Sequence, residues 1–289
     1  MILPRFSKFL WMLAGSALLL GSVGFGQGTG GSTAPRSLWT PPLDISVDGH
    51  RSDDLFITVT YMLVALFVIM VAILLFASFK FRASTGAKAH YDRGDSKKEA
   101  VKALVISTAI FAIVDGTLLV RSHIDVNEFY WKFPEGDPEV MRVEVLAQQW
   151  SWNFRYAGKD GKFNTPDDIV TLNDFRVPEG KKVLCQLTSK DVIHSFFLAN
   201  CRMKRDANPG EITRMWFQTK PATAGLYQVT CAEICGYAHY LMQAKFEVMK
   251  PKDFDNWIQE AARWSEIGYE ANKPEQHWGW DWKPTPSAQ

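Results

Sequence analysis

Two long apolar segments dominate the first half of the chain. Residues 55–79 form a run of about 25 residues without a charged side chain, long enough to cross the ~30 Å hydrocarbon core of a bilayer with some tilt. A second apolar segment, residues 103–120, follows a loop that is rich in Lys and Arg. We therefore predict a transmembrane helical hairpin over residues 55–121, with spans at 55–79 and 103–120 and the basic loop in the cytoplasm.

The residues before the hairpin have the pattern of an export signal. Arg5 and Lys8 precede an apolar stretch that ends in small residues, so residues 1–27 are predicted to be a signal peptide that is cleaved. A third membrane helix is the alternative, because the apolar run is near the ~18 residues that a span requires. Residues 28–54 contain many Gly, Ser and Pro residues and are predicted to be an extended linker. This topology places residues 122–289 outside the cytoplasm.

The exported part is predicted to be a β domain. Its short segments rich in Val and aromatic residues are residues 142–156, 182–188, 214–219, 226–230 and 244–249. Turn residues separate them at the spacing of a β sandwich or small barrel. Residues 253–264 predict a helix whose apolar face docks on this domain, and the tail from Pro274 is predicted to be irregular. The fold class is therefore a membrane-anchored all-β protein with a C-terminal helix.

Charge and cysteine content exclude two classes of function. The chain has 32 basic and 31 acidic residues, so it lacks the basic excess that nucleic-acid binding requires. Four cysteines are too few for a disulfide scaffold. Function is therefore expected at a specific site.

One loop gathers soft metal ligands. Cys231, Cys235, His239 and Met242 lie close together in sequence, and thiolate, imidazole and thioether together favour copper in electron transfer. His194, between two β segments, is predicted to be the further strong donor. Two cysteines four residues apart can place both thiolates between two copper ions, with one histidine ending each side. The Met242 sulfur and the backbone carbonyl of Glu233 can then cap the two ions.

Other interpretations of the cysteines and acidic residues stay open at this point. In an exported domain Cys231 and Cys235 can form a disulfide, and two Cys with two His can bind zinc. Cys185 and Cys201 are expected to be buried small residues, with a disulfide as the alternative. The acidic turn at residues 160–168 is expected to be a solvated turn, with calcium binding as the alternative.

The metal-ligand pattern resembles subunit II of haem-copper oxidases of the cytochrome c type, which carries the dinuclear CuA centre. The resemblance extends over nearly the whole chain and implies a cupredoxin-like β sandwich or barrel. It implies the copper ligands His194, Cys231, Glu233 (carbonyl), Cys235, His239 and Met242. It also implies that the Glu233 carboxylate helps to bind Mg or Mn at the interface with subunit I. Within the aromatic segment 149–156, it implies that Trp150 is the site where electrons arrive.

The same resemblance implies the function and partners. Electrons from cytochrome c, or from a membrane-bound donor, pass through the copper centre to haem in subunit I, where oxygen is reduced and protons are translocated. The expected partners are subunits I and III, the electron donor and membrane lipid, in a bacterial plasma membrane with the β domain on the periplasmic face. A membrane-tethered copper carrier or oxidase-assembly protein is the alternative function. Asp115 inside the second span and Glu99 before it have no settled role.

Overall fold

The computed structural model describes residues 41–268, apart from residues 87, 89, 90, 92, 164 and 166 and the side chains beyond Arg263. The predicted signal peptide at residues 1–27, residues 28–40 of the predicted linker and the tail from Pro274 lie outside the described residues. The chain divides into two units, residues 1–43 and 44–289, and every element below belongs to the second.

Two long helices, α1 (Gly49–Lys80) and α2 (Lys97–Asp125), form the predicted hairpin, and a π-helical turn (Val126–Tyr130) continues α2. By length and composition both helices are able to cross a membrane. The most apolar segment of each helix is not buried by any other part of the described chain. The hydroxyl of Ser96 starts α2 by accepting a hydrogen bond from the backbone N–H of Glu99 at 3.2 Å. A short 3-10 turn (Ala83–Thr85) follows α1.

The linker prediction extends too far along the chain. Helix α1 begins at Gly49, so the end of the predicted linker, residues 49–54, is helical. Polar residues in this first turn are held by partners that no local pattern reveals: Arg202 of the β domain donates to the Asp53 carboxylate at 2.7 Å. On the other helix, the Phe129 carbonyl accepts a hydrogen bond from Trp216 Nε1 at 3.1 Å. These contacts join the hairpin to the β domain.

The β domain contains two five-stranded sheets. Its strands are β1 (Met141–Gln148), β2 (Ser151–Tyr156), β3 (Ile169–Leu172), β4 (Asp174–Pro178), β5 (Lys182–Ser189), β6 (His194–Leu198), β7 (Met203–Ala207), β8 (Thr213–Gln218), β9 (Gly225–Cys231) and β10 (Gln243–Met249). One sheet has the order β3-β2-β1-β5-β8 and the other β4-β10-β9-β6-β7. Parallel pairs, β1 with β5 and β4 with β10, occur in both sheets.

The strand prediction is right in type but incomplete. The segment predicted at 142–156 is a hairpin, in which Gln148 pairs with Ser151 and residues 149–150 form the turn. Strands β3, β4, β6 and β7 are absent from the prediction. They have only four or five residues each, and β6 is buried along most of its length, so the alternation that identifies a strand has little room to appear.

Aromatic side chains fill the space between the sheets. Phe175 of β4 stacks on Phe154 of β2 and on Phe246 of β10, with ring centroids 4.8 and 5.2 Å apart. Phe196 of β6 meets Phe175 edge-on at 5.8 Å. Strand β6, which begins with His194, is therefore packed against residues of both sheets.

The C-terminal helix α3 (Pro251–Gly268) docks on the β domain as predicted. Phe254 is buried, and the ring of Trp257 meets Tyr156 edge-on at 5.5 Å. The Arg176 guanidinium lies over the same indole, 5.0 Å from its centroid. The helix thus covers the domain at the C-terminal end of β2, away from the turn at residues 149–150.

Candidate metal centre

The predicted ligands meet where β6 begins and β9 ends. His194 is the first residue of β6, and Cys231 is the last residue of β9, the adjacent strand. The loop after Cys231 contains a short 3-10 turn (His239–Leu241) before β10 begins. The Cys231 N–H donates to the Met242 carbonyl at 3.1 Å and closes the base of this loop. The fold therefore brings a histidine distant in sequence to the loop that holds the other donors.

Sulfur and nitrogen atoms lie close together in this centre. The two thiol sulfurs of Cys231 and Cys235 are 3.8 Å apart. His194 Nδ1 lies 4.0 Å from the Cys231 sulfur, and His239 Nδ1 lies 3.5 Å from the Cys235 sulfur. The Met242 sulfur is 3.7 Å from that of Cys235. Each thiol therefore has its own histidine, and the thioether lies on the Cys235 side.

Glu233 contributes its backbone to the centre. Its carbonyl oxygen lies 3.2 Å from the Cys231 sulfur, whereas the Met242 sulfur lies beside the other thiol, Cys235. The residue is exposed, so its carboxylate faces away from the buried donors. Backbone and side chain of Glu233 are thus available to two different partners.

All four cysteines are free thiols. A disulfide requires sulfur atoms about 2.05 Å apart, far less than the separation of Cys231 and Cys235. The pairing of Cys185 with Cys201 that the sequence left open is also not formed, and both residues are buried, as expected for small apolar side chains. Burial raises the pKa of both of these thiols.

The two central thiols differ in acidity. Burial opposes ionisation of Cys231, but hydrogen bonds, of which that with His194 is the strongest, outweigh it and lower the pKa of Cys231 to about 6. Burial, followed by the negative charge on Cys231, raises the pKa of Cys235 to about 12. Cys231 is therefore the more acidic of the two thiols, and a bound metal cation would favour loss of the proton from Cys235 as well.

Asp191 holds His194 from behind. The His194 Nε2 donates to Asp191 Oδ1 at 2.8 Å, which leaves Nδ1 facing Cys231. The second oxygen of Asp191 accepts the backbone N–H of Gln149 at 2.7 Å. A carboxylate behind a histidine ligand fixes the ring and its tautomer. Burial favours the neutral acid, but these hydrogen bonds prevail and lower the pKa of Asp191.

Gln149 and Trp150 connect the β1–β2 turn to the loop. Gln149 Nε2 and Trp150 Nε1 both donate to the Cys235 carbonyl, at 2.8 and 3.3 Å. Trp150 is 37% exposed, so its indole spans from the loop to the surface. Asp191 and Gln149 are absent from the sequence prediction. The sequence does show Asp191 three residues before His194, but an aspartate at that spacing does not by itself indicate a residue that supports a metal ligand.

The remaining aromatic residues of this strand belong to the core. Trp152 is fully buried and meets the His194 ring edge-on at 6.1 Å. Tyr156 is buried and donates its hydroxyl to the Arg176 carbonyl at 3.1 Å. Trp152 thus packs directly against the candidate ligand His194, while Tyr156 lies at the far end of β2.

The loop presents apolar side chains to the surface above the centre. The exposed residues are Ile234, Tyr237, Tyr240 and Leu241. The metal donors beneath them are covered: His194 and Met242 have no exposed surface. Cys231 and His239 are half-buried, so the centre lies close to the surface.

The acidic turn forms its own hydrogen bonds. Asp160 Oδ1 accepts the Lys162 N–H at 2.8 Å, and the Thr165 hydroxyl donates to Asp167 Oδ1 at 2.7 Å. Across residues 41–268, with the gaps noted above, the one group of His, Cys and acidic residues suited to a metal is His194, Cys231 and Cys235. The Glu99 backbone N–H donates to the Ser96 hydroxyl that caps α2, and its carboxylate pairs with Lys102 at 2.8 Å.

Known proteins share the part of the chain that builds this centre. The family "Cytochrome C oxidase subunit II, periplasmic domain" matches residues 141–249. The alternative cytochrome c oxidase subunit 2 of Bradyrhizobium diazoefficiens is 29% identical over 245 residues, which cover 77% of this chain and 83% of that protein. Cytochrome c oxidase subunit 2 of Thermostichus vulcanus is 36% identical over 123 residues, 43% of this chain and 34% of the relative.

A solved structure is similar to part of the chain. It is the periplasmic domain of subunit II of the cytochrome oxidase of Bradyrhizobium japonicum, with 26% identity and a TM-score of 0.38, covering 43% of this chain and 94% of that domain. The family match spans β1 to β10 and the ligand loop. The similarity to the Bradyrhizobium diazoefficiens protein covers more of the chain than the β domain alone. Residues 141–249 therefore match the periplasmic domain of cytochrome c oxidase subunit II, and the chain is similar to subunits 2 of these oxidases.

Proposed function

We propose that this chain is the electron-accepting subunit of a membrane-bound cytochrome c oxidase. In this role the metal centre takes electrons one at a time from a cytochrome outside the cytoplasm and passes them to haem in subunit I. Oxygen reduction and proton translocation then belong to subunit I. One observation carries the proposal: two free thiols lie 3.8 Å apart, each with a histidine beside it.

We assign two copper ions to this centre. The donor set is soft, as copper in electron transfer requires, and it includes a thioether, which zinc sites do not use. The ligands would be the side chains of His194, Cys231, Cys235, His239 and Met242 and the carbonyl of Glu233. Copper held by Cys231 and Cys235 would supply a carrier able to accept and pass on one electron at a time.

The chain's own residues hold these ligands in place. His194 is clamped between the Asp191 carboxylate and the Trp152 ring. Met242 is fully buried and tied through its carbonyl to the Cys231 N–H. Ligands that cannot move change their geometry little when an electron arrives, and this favours fast transfer.

Glu233 is proposed to serve a second metal, Mg or Mn, at the contact with subunit I. Its carbonyl is directed to the copper site, while the residue as a whole is exposed. A carboxylate oxygen suits these harder cations. One residue would then touch both metals and place them close together at the subunit boundary.

The proposed partners follow from the membrane anchor and the surface above the centre. The family and the two apolar helices fit a membrane-anchored subunit. We place it in a bacterial plasma membrane, with the β domain on the periplasmic face beside subunits I and III. The electron donor, cytochrome c or a membrane-bound cytochrome, would dock transiently over the exposed apolar residues of the loop.

Trp150 is proposed as the point where electrons arrive. Replacing Trp150 with phenylalanine is expected to slow bimolecular electron transfer from a reduced cytochrome c by about tenfold or more, because the larger indole ring and its N–H bond to the Cys235 carbonyl are lost. The rate is measured by stopped-flow spectroscopy with the assembled oxidase. Trp131→Phe, at an exposed tryptophan at the end of the hairpin, is the control. An unchanged rate for Trp150→Phe would exclude this role.

The function is tested on the full chain purified in detergent and loaded with copper. We expect strong visible absorption from thiolate-to-copper charge transfer. We also expect an EPR spectrum in which one electron couples to two equivalent copper nuclei. A colourless Cu(I) protein without that spectrum would contradict the proposal and support a membrane-tethered copper carrier or assembly protein.

A further inference from the structure

Asp115 of helix α2 is a carboxyl group that the hairpin does not cover. Its side chain is exposed, and within the part of the chain that the structure describes it makes no hydrogen bond or ion pair. Phe111 and Leu119, one helical turn to either side, are 63% and 68% exposed. Val114 and Leu118 on the neighbouring face are partly covered. Asp115 therefore lies on a face of α2 that is directed away from α1.

The register of the hairpin gives the depth of this group. Hydrogen bonds between the helices join Arg51 to Asp125 at 2.9 Å, Ser52 to Tyr130 at 2.7 Å and Arg121 to Thr58 at 2.8 Å. Continuing this register inward places Asp115 level with about Val64. At 1.5 Å per residue, Val64 lies about 15 Å along α1 from Asp54, the last acidic residue at the outer end. The predicted span 103–120 ends five residues beyond Asp115, or about 8 Å, so the group lies inside a ~30 Å hydrocarbon core, in its outer half.

A carboxyl group at that depth requires a partner. Lipid tails offer no hydrogen-bond donor, and acidic residues inside membranes almost always face protein or a water-filled cavity. The residues on either side of Asp115 are a phenylalanine and a leucine, which suit helix packing and do not line a water path. The face is therefore suited to another protein helix that carries a donor.

We infer that Phe111, Asp115 and Leu119 form a contact surface for a membrane helix of a second polypeptide, and that this helix donates a hydrogen bond to the Asp115 carboxyl group. The donor would be a hydroxyl, amide or cationic side chain. The inference rests on the proposed function, in which the chain is one membrane subunit of an oxidase complex. It adds the place and the chemistry of a subunit contact within the bilayer.

Substitution distinguishes a protein contact from lipid exposure. With the tagged full chain in its native membranes, Asp115→Leu is expected to lower the haem that copurifies with the chain by about tenfold, because an interhelical hydrogen bond is lost. Asp115→Asn, which keeps hydrogen-bonding capacity, is expected to lose much less. Ile113→Ala, at the same depth on the opposite face, is the matched control. Copurified haem that is equal or greater for Asp115→Leu would overturn the inference, since leucine is the better residue in lipid.

A second measurement leaves Asp115 intact. A photoreactive amino acid at Leu119 is expected to form an adduct within a membrane helix of the haem-bearing subunit, close to a donor side chain, whereas the same group at Ile113 should not. Adducts from Leu119 with lipid alone would refute the contact. The copper EPR spectrum of the same preparations separates the two proposals. A normal spectrum with unaffected assembly of Asp115→Leu defeats only this inference, whereas the lack of a dinuclear spectrum in the unaltered chain defeats the proposed function.

Discussion

Replacing Cys235 with serine is expected to abolish the dinuclear copper spectrum. Cys235 is the most connected donor: its sulfur lies 3.8 Å from Cys231, 3.5 Å from His239 and 3.7 Å from Met242. A serine hydroxyl is a hard, un-ionised group and cannot bridge two copper ions as a thiolate does. One thiolate with its histidine would remain, and that set holds at most a single copper. EPR of the copper-loaded full chain reports the change directly.

Cys185 provides the matched control for this substitution. It is a free, buried thiol on β5, outside the centre. Cys185→Ala is therefore expected to leave coupling to two equivalent copper nuclei in place. If Cys235→Ser kept that coupling, the two thiols would not be bridging ligands. If Cys185→Ala removed it, the loss would reflect folding and not ligation.

The ligand loop could be predicted from sequence because its donors are chemically rare and adjacent. Cys231, Cys235, His239 and Met242 are soft donors within one short segment, and few other chemistries need that set. Asp191 and Gln149 could not be predicted in the same way. Their roles arise from hydrogen bonds to His194 and to the Cys235 carbonyl across different strands. Aspartate and glutamine are common at protein surfaces, so their identity alone indicates nothing.

The elements of the fold also differ in whether local sequence or contacts between distant residues determine them. The hairpin is predictable because a long uncharged run has few structures open to it. The start of α1 at Gly49 is not, since its first turn depends on Arg202 from the β domain. Strand β6 has five residues and little exposed surface, so it lacks the alternation that reveals β10. For β6, burial along most of the strand removes the alternation that marks a strand with one solvated face.

Phe175 lies at the centre of the aromatic core, and its replacement by alanine is expected to cost about 3–5 kcal/mol of unfolding free energy. The ring is fully buried and stacks on Phe154 and Phe246, one from each sheet, at 4.8 and 5.2 Å. Truncation leaves a cavity that neither sheet can close without separating from the other. Urea unfolding of the full chain in detergent, followed by near-UV circular dichroism, measures the loss.

The effect should reach the metal centre through Phe196, which packs edge-on against Phe175 at 5.8 Å and lies two residues after His194. A looser β6 would let the His194 ring move, so Phe175→Ala should broaden the copper hyperfine pattern, although it touches no ligand. Leu172→Ala, at a residue that is 62% exposed on β3, should change neither quantity. A loss of stability with an unaltered copper spectrum would mean that Asp191 and Trp152 hold the histidine without help from the core.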